Sequence, residues 1–170
     1  MKKLICALLA VLMLVTLCAC GGETKEEPKT TEATNAPAAE KGYVFENNGV
    51  EVAVNAAPDA VISALGEPVD TAEEASCAFE GKDITYFYND FEILVAAPAG
   101  KDSYISSIVI KSDAVSTPEG LEIGMPQSKV TELYGDCDFD DPLYILKKGD
   151  MQLRIKCVDE VVTAIEYAAL

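Results

Sequence analysis

The feature that most constrains the fold is a pattern that occurs twice along the chain: a short helical segment that ends at a glycine, then β-rich runs separated by turns. Pro58 suits the first position of a helix, and Gly66 and Gly135 suit positions just past a helix end. Two amphipathic helices laid on one face of a sheet form a two-layer α+β domain. The pattern therefore predicts two tandem helix-plus-antiparallel-meander units, about 42–115 and 116–170, that pack their helices on one shared antiparallel sheet.

Short runs rich in β-branched and aromatic residues mark the strands of this prediction. A hairpin is expected around Asn47-Asn48-Gly49, a turn sequence that tolerates positive φ, with strands at 43–45 and 50–54. The further predicted strands are 84–88, 91–97, 105–111, 143–147, 151–157 and 161–167, with a weak one at 77–80.

The second half of the pattern resembles known lipoproteins. The run 121–126 (Leu-Glu-Ile-Gly-Met-Pro), then Val130 and 133–135 (Leu-Tyr-Gly), then strand-turn-strand, resembles the small outer-membrane lipoproteins of the SmpA/OmlA type. It also resembles the tandem repeat of the β-lactamase-inhibitor-protein fold. Both groups act through protein contacts, one in outer-membrane assembly and the other by clamping an enzyme. The resemblance therefore implies the fold and non-catalytic binding, although the assembly lipoproteins carry one such unit on a short tether.

The N-terminus resembles a bacterial lipoprotein signal. Two lysines precede an uncharged apolar run at 4–17, which is short for a membrane-spanning helix. Leu17 and Ala19 stand before Cys20 as they do in a lipobox. The resemblance implies cleavage of a signal peptide at 1–19 and attachment of a diacylglyceryl group to Cys20. Two acyl chains give stable anchoring, so we expect the protein on the extracytoplasmic face of the cell membrane.

The segment after the lipobox predicts a tether. Residues 21–41 contain no aromatic and no branched aliphatic side chain, and Pro, Thr, Ala, Glu and Lys dominate. Such a composition does not bury enough apolar surface to offset the entropy of ordering. We expect 20–41 to be a lipidated Cys and a disordered stalk of roughly 25 Å average span, and the globular domain to begin at 42.

Composition excludes several function classes. The formal net charge is −16, and loss of Lys2 and Lys3 with the signal moves it to −18. Such a surface repels nucleic acid, so no nucleic-acid partner is expected. Histidine is absent, which removes the commonest general base and the commonest metal ligand. Arg154 is the only arginine. We expect no enzymatic activity and no cofactor.

Three cysteines remain after processing: Cys77, Cys137 and Cys157. An exported protein can form disulfides, but three thiols cannot all pair internally. The sequence does not choose among the three pairings. Cys157 lies on the apolar face of a predicted alternating strand at 151–157 and is interpreted as a small buried hydrophobe.

Two groups of side chains are candidate sites. Asp136, Asp138 and Asp140 are weak candidates for Ca²⁺ ligands, although the EF-hand pattern fails and a solvated acidic loop is the alternative. Tyr86 and Tyr88 lie on one face of a predicted strand and are candidates for a binding surface, since exposed tyrosines suit interfaces. The alternative is that they belong to the core.

These observations predict an extracytoplasmic, membrane-anchored lipoprotein that binds a protein or envelope component without catalysis. The rival prediction is a small-ligand or cation-binding accessory lipoprotein. A hydrolase is disfavoured because the chain lacks a recognisable base and nucleophile.

Overall fold

The structure is a computed structural model that describes residues 42–170. The predicted signal peptide, the lipidation site Cys20 and the tether lie outside the described residues. Within the described part, no helix combines the length and the apolar character needed to span a membrane.

Residues 42–170 form ten strands and two short helices. In chain order they are β1 (Phe45–Asn47), β2 (Val50–Val52), α1 (Pro58–Leu65), β3 (Asp70–Ala75), β4 (Gly81–Phe87), β5 (Phe91–Pro98), β6 (Tyr104–Ile110), α2 (Ser128–Tyr134), β7 (Asp138–Asp140), β8 (Leu143–Lys148), β9 (Met151–Val158) and β10 (Val161–Ala169). The turn between β1 and β2 needs a left-handed backbone, which Asn48 (φ 50°) and Gly49 (φ 79°) supply.

The strands form two sheets. β1 and β2 make a separate hairpin, and the other strands form one antiparallel sheet in the order β3-β4-β5-β6-β10-β9-β8-β7. Strands β3 to β6 form one meander and strands β7 to β10 form another. The two meanders meet where β6 pairs with β10. This pairing aligns residues of all the central strands into straight rows across the sheet.

One face of the sheet carries the core. A row of fully or nearly fully buried side chains crosses five strands, with the members Ile93, Ile108, Tyr167, Leu153 and Leu146. Phe45 and Val52 of the hairpin, Leu121 of the loop before α2 and Val130 of α2 belong to the same cluster. Complete burial of such a side chain contributes about 1.5–3 kcal/mol, so this covered face holds the fold together.

The predicted α+β class is wrong. The described chain is mostly β, with an eight-stranded antiparallel sheet, a small two-stranded sheet and helices of only eight and seven residues. Each helix has one buried residue, Pro58 in α1 and Val130 in α2. Helices of two turns do not form a layer of their own, because most apolar area is buried by the strands. The description as two helix-plus-meander units therefore does not hold.

Three details of the strand prediction are also wrong. β3 (Asp70–Ala75) and β7 (Asp138–Asp140) were not expected, because Asp, Glu and Ala are depleted in strands. The run 77–80, predicted as a weak strand, lies instead in the connection between β3 and β4. The two unexpected strands are the two edges of the sheet.

Candidate functional site: the open face of the sheet

The face of the sheet opposite the core is the best candidate for a functional surface. Its side chains alternate with the buried ones, and one row runs from β4 to β8 through Phe87, Glu92, Val109, Glu166, Arg154 and Ile145. The apolar residues of the β1–β2 hairpin and of both helices belong to the core on the other side. Among residues 42–170, therefore, no helix or hairpin covers this face, which we call the open face.

The open face is partly apolar. Phe87, Leu94, Val109 and Ile145 are half-buried, and none of them belongs to the core cluster. An antiparallel sheet with one solvated face usually carries polar side chains there. Apolar side chains at four positions spread over β4, β5, β6 and β8 are therefore more than solubility requires.

A polar network occupies the middle of the open face. The Ser107 hydroxyl donates to Glu166 Oε1 at 3.0 Å, and Arg154 Nη1 donates to Glu166 Oε2 at 3.4 Å. When the amide oxygen of Gln152 is turned toward Arg154, it accepts hydrogen bonds from Arg154 Nε at 3.0 Å and from Arg154 Nη2 at 2.7 Å. The only arginine of the chain is thus held between two neighbours while 41 % of its side chain stays exposed.

A second ion pair lies beside this network. Lys111 Nζ is 3.1 Å from Glu92 Oε1, next to Val109 in the same region of the sheet. Exposed pairs of this kind contribute little to stability, about 0–1 kcal/mol. The Lys111–Glu92 and Arg154–Glu166 pairs act locally: they balance charge on the open face of a chain whose net charge is −16.

A cleft lies near the β7 edge of the sheet. It has a volume of about 420 Å³ and is lined by Tyr43, Tyr134, Asp136, Cys137, Asp138, Ile145, Leu146 and Lys147. The rings of Tyr43 and Tyr134 meet edge to face with centroids 5.8 Å apart. Lys148 Nζ lies 5.2 Å from the centre of the Tyr43 ring, a cation–π distance.

Two titratable groups of the cleft, the Tyr134 phenol and the Cys137 thiol, favour their neutral forms. Burial raises the pKa of the Tyr134 phenol, whose hydroxyl donates to Glu119 Oε2 at 2.9 Å and lies 2.7 Å from Thr117 Oγ1. Burial, and then the carboxylates of Asp136 and Asp138, raise the pKa of the Cys137 thiol. Because the thiolate is the nucleophile, this environment opposes nucleophilic chemistry at Cys137.

The structure places the predicted binding tyrosines elsewhere. Tyr86 and Tyr88 are half-buried and pack against the core cluster, on the covered side of the sheet. The Tyr88 ring stacks on Phe91 at 4.6 Å, and its hydroxyl donates to the Gly66 carbonyl at 3.4 Å. Phe87, which lies between them in sequence, is the aromatic residue on the open face.

The acidic candidates do not form a metal site among residues 42–170, although Asp136 and Asp138 line the cleft. Asp138 and Asp140 lie in β7, Asp136 lies two residues before that strand, and all three are exposed. In the described range 42–170, no three His, Cys, Asp or Glu side chains form a group that could hold a metal ion. Cys77 is exposed, Cys137 half-buried and Cys157 buried, and all three thiols are free.

The main residues of the open face were missed at the level of sequence. Strand alternation was a usable signal, since Phe87, Arg154 and Glu166 each stand between residues of the opposite face. The pairing of Arg154 with Glu166 depends on the register between β9 and β10, which no local pattern encodes. Comparisons with protein-family models, with curated proteins and with solved structures gave no match to this chain, so its function is argued from its own residues.

Proposed function

We propose that this protein is a non-catalytic binding module, held on the extracytoplasmic face of the cell membrane by lipid on Cys20, that engages a protein partner through the open face. The anchor rests on the lipobox formed by Leu17, Ala19 and Cys20. The binding role rests on one observation: a sheet face, uncovered among residues 42–170, that carries half-buried apolar side chains and a partly exposed arginine held by its neighbours.

The composition of the open face supports protein binding. Protein interfaces are enriched in aromatic residues and arginine. On the open face, Ile145 lies beside Arg154, Val109 and Phe87 lie farther along the same row, and Arg154 is paired with Glu166. Six strands at about 4.8 Å spacing make this row roughly 25 Å wide, which is wide enough for a standard interface.

The arrangement of the polar groups supports binding without catalysis. The groups of Ser107, Glu166, Arg154 and Gln152 are engaged with one another. Held side chains lose little rotamer freedom when a partner binds, which lowers the entropic cost of association.

Site-specific photo-crosslinking in intact cells tests the binding role. A photoreactive amino acid replaces Val109 on the open face of the full-length chain, and the matched control replaces Asp59, which is exposed on α1. We expect one discrete protein adduct from position 109 and none from position 59. Adding Leu94→Asp, an open-face change, should abolish that adduct. No adduct from position 109, or the same adducts from both positions, would refute the open face as the binding surface.

The anchor is tested separately. Cys20→Ser should abolish labelling by a radioactive fatty acid and release the protein from sedimented membranes, because the thioether needs the sulfur. Persistent membrane association of Cys20→Ser would contradict lipid anchoring, whatever the crosslinking experiment gives.

A second candidate function is binding of a small organic cation in the cleft beside β7. Its volume of about 420 Å³ lies in the range of small-molecule sites, and its lining combines the Tyr43 ring with Asp136 and Asp138. Tetramethylammonium is a suitable probe. Calorimetric binding that Tyr43→Ala removes would support this candidate, and absence of heat at millimolar probe would end it.

A further inference from the structure

The β3 edge of the sheet is built unlike the β7 edge. β3 is six residues long, all of them exposed, and pairs with β4 along its whole length without a bulge. β7 has only three residues. Proteins usually shield long regular edges with bulges, proline, charged side chains or short strands, because an unpaired edge is a template for another strand. β3 has neither proline nor bulge, and its only shielding is the negative charge of its acidic side chains.

The outward backbone groups of β3 can be assigned from the ladder. Ser76 N–H donates to the Gly81 carbonyl at 3.1 Å. Because antiparallel residues alternate between facing their partner strand and facing away, Thr71, Glu73 and Ala75 direct their N–H and C=O groups outward. The N–H of Thr71 is already taken by the Asp70 carboxylate at 2.8 Å. The N–H groups of Glu73 and Ala75 make no hydrogen bond to another described residue outside the sheet.

The charge of the edge selects the kind of strand that can join it. β3 carries Asp70, Glu73 and Glu74, and the neighbouring Lys82 pairs only with Glu73, at 2.7 Å. Opposite charges directly across a strand pair are stabilising and like charges are destabilising. A joining strand must therefore be basic.

A second copy of this chain does not meet that requirement. Residues opposite each other in an antiparallel pair point to the same face. Under this same-face rule, two copies of β3 can overlap along five residues in only two registers. One register sets Asp70 against Glu74 twice. The other register sets Glu73 against Glu73. Both registers oppose carboxylates, so the acidic edge resists self-association.

We infer that the β3 edge is a docking site for an extended, lysine- or arginine-rich segment of another protein, which adds to the sheet as a further antiparallel strand beside β3. Main-chain hydrogen bonds to Glu73 and Ala75 give the affinity, as in other strand-addition complexes, and the carboxylates of Asp70 and Glu74 select basic side chains. This site is separate from the open face and does not depend on the function proposed for it.

The test uses the full-length chain and an eight-residue acetylated peptide in which lysine alternates with valine. Hydrogen exchange followed by NMR reports each amide. On peptide addition we expect strong protection of the Glu73 and Ala75 amides, which face outward, and little change at Ala72 and Glu74, which already face β4. A twin peptide with glutamate in place of lysine should give no protection. Peptide binding that leaves the Glu73 and Ala75 amides unprotected overturns the inference.

Matched variants separate strand addition from charge attraction. Glu73→Pro removes an outward donor, at an edge position where proline is tolerated, and Glu73→Gln removes only the charge. In calorimetry at 0.15 M salt, we expect Glu73→Pro to bind the lysine peptide about tenfold more weakly than Glu73→Gln. Equal affinities of the two variants would mean electrostatic adsorption only. Protection of the same amides in the chain alone at rising protein concentration would identify a second copy as the occupant and also overturn the inference.

Discussion

The two faces of the eight-stranded sheet are built from the same strands but differ in what packs on them. Ile93, Ile108 and Leu153 are 0 % exposed on the covered face. Leu94 directly follows Ile93 and Val109 directly follows Ile108, and both are half-buried on the open face. Since the side-chain period of a strand is two, one step in sequence separates a residue that stabilises the fold from one that is free to meet a partner.

The largest difference between the faces is expected in stability. Leu153→Ala removes a fully buried side chain from the central row and should lower the free energy of unfolding by about 2–5 kcal/mol, because a cavity adds to the lost burial. Leu94→Ala, the matched change on the open face, should cost less than about 1 kcal/mol. Urea unfolding followed by tyrosine fluorescence measures both. Equal losses would show that the open face is also packed.

The covered side should also control stability at alkaline pH. Burial is the main cause that raises the pKa of Tyr134 and Tyr167 above the ordinary value of 10.0. The unfolded chain therefore loses these protons first, so stability is complete below pH 10 and falls as the pH rises above it. The slope should be about 1.4 kcal/mol per pH unit for each tyrosine.

Urea unfolding between pH 9 and pH 11.5 measures this slope. Tyr134→Phe and Tyr167→Phe should each flatten it, whereas a change at a tyrosine outside the core should not. Phenolate absorbance from Tyr134 or Tyr167 in a chain that still shows folded circular dichroism would contradict the assignment.

A smaller effect should appear within the core itself. The Tyr167 hydroxyl is buried and has no hydrogen-bond partner among residues 42–170. A buried polar group without a partner costs about 1–3 kcal/mol, so Tyr167→Phe at neutral pH should raise the free energy of unfolding by about 1 kcal/mol. A loss of stability instead would mean that an ordered water satisfies the hydroxyl.

Much of the sheet could be predicted from local pattern. The runs expected at 91–97, 143–147 and 151–157 coincide with β5, β8 and β9. The first two are short, nearly continuous apolar runs, and in the third apolar and polar residues alternate. β3 (Asp70–Ala75) could not be found this way, since its residues disfavour strands and pair only because β4 lies beside them. The fold class was wrong because two short helices do not bury enough apolar area to form a layer beside an eight-stranded sheet.

The open face was harder to predict than the strands. Alternation separates Tyr86 from Phe87, but it does not say which of them faces the core. That choice depends on where Phe45, Val52 and Leu121 pack, and these residues are distant in sequence. Tertiary packing therefore decides that Tyr86 supports the fold and that Phe87 lies on the open face.

The smallest effect concerns the ion pair at the centre of the open face. A double-mutant cycle with Arg154→Met and Glu166→Gln should give a coupling of about 0.2–1 kcal/mol, because both side chains are partly exposed, at 41 % and 31 %. The coupling should shrink between 0.05 M and 0.5 M salt as screening increases. A coupling above about 2 kcal/mol that salt does not change would make the pair a structural element like those of the covered face. A weak, screened coupling leaves Arg154 positioned by Glu166 but free to exchange that partner for a carboxylate on a bound protein, which is what a recognition surface requires.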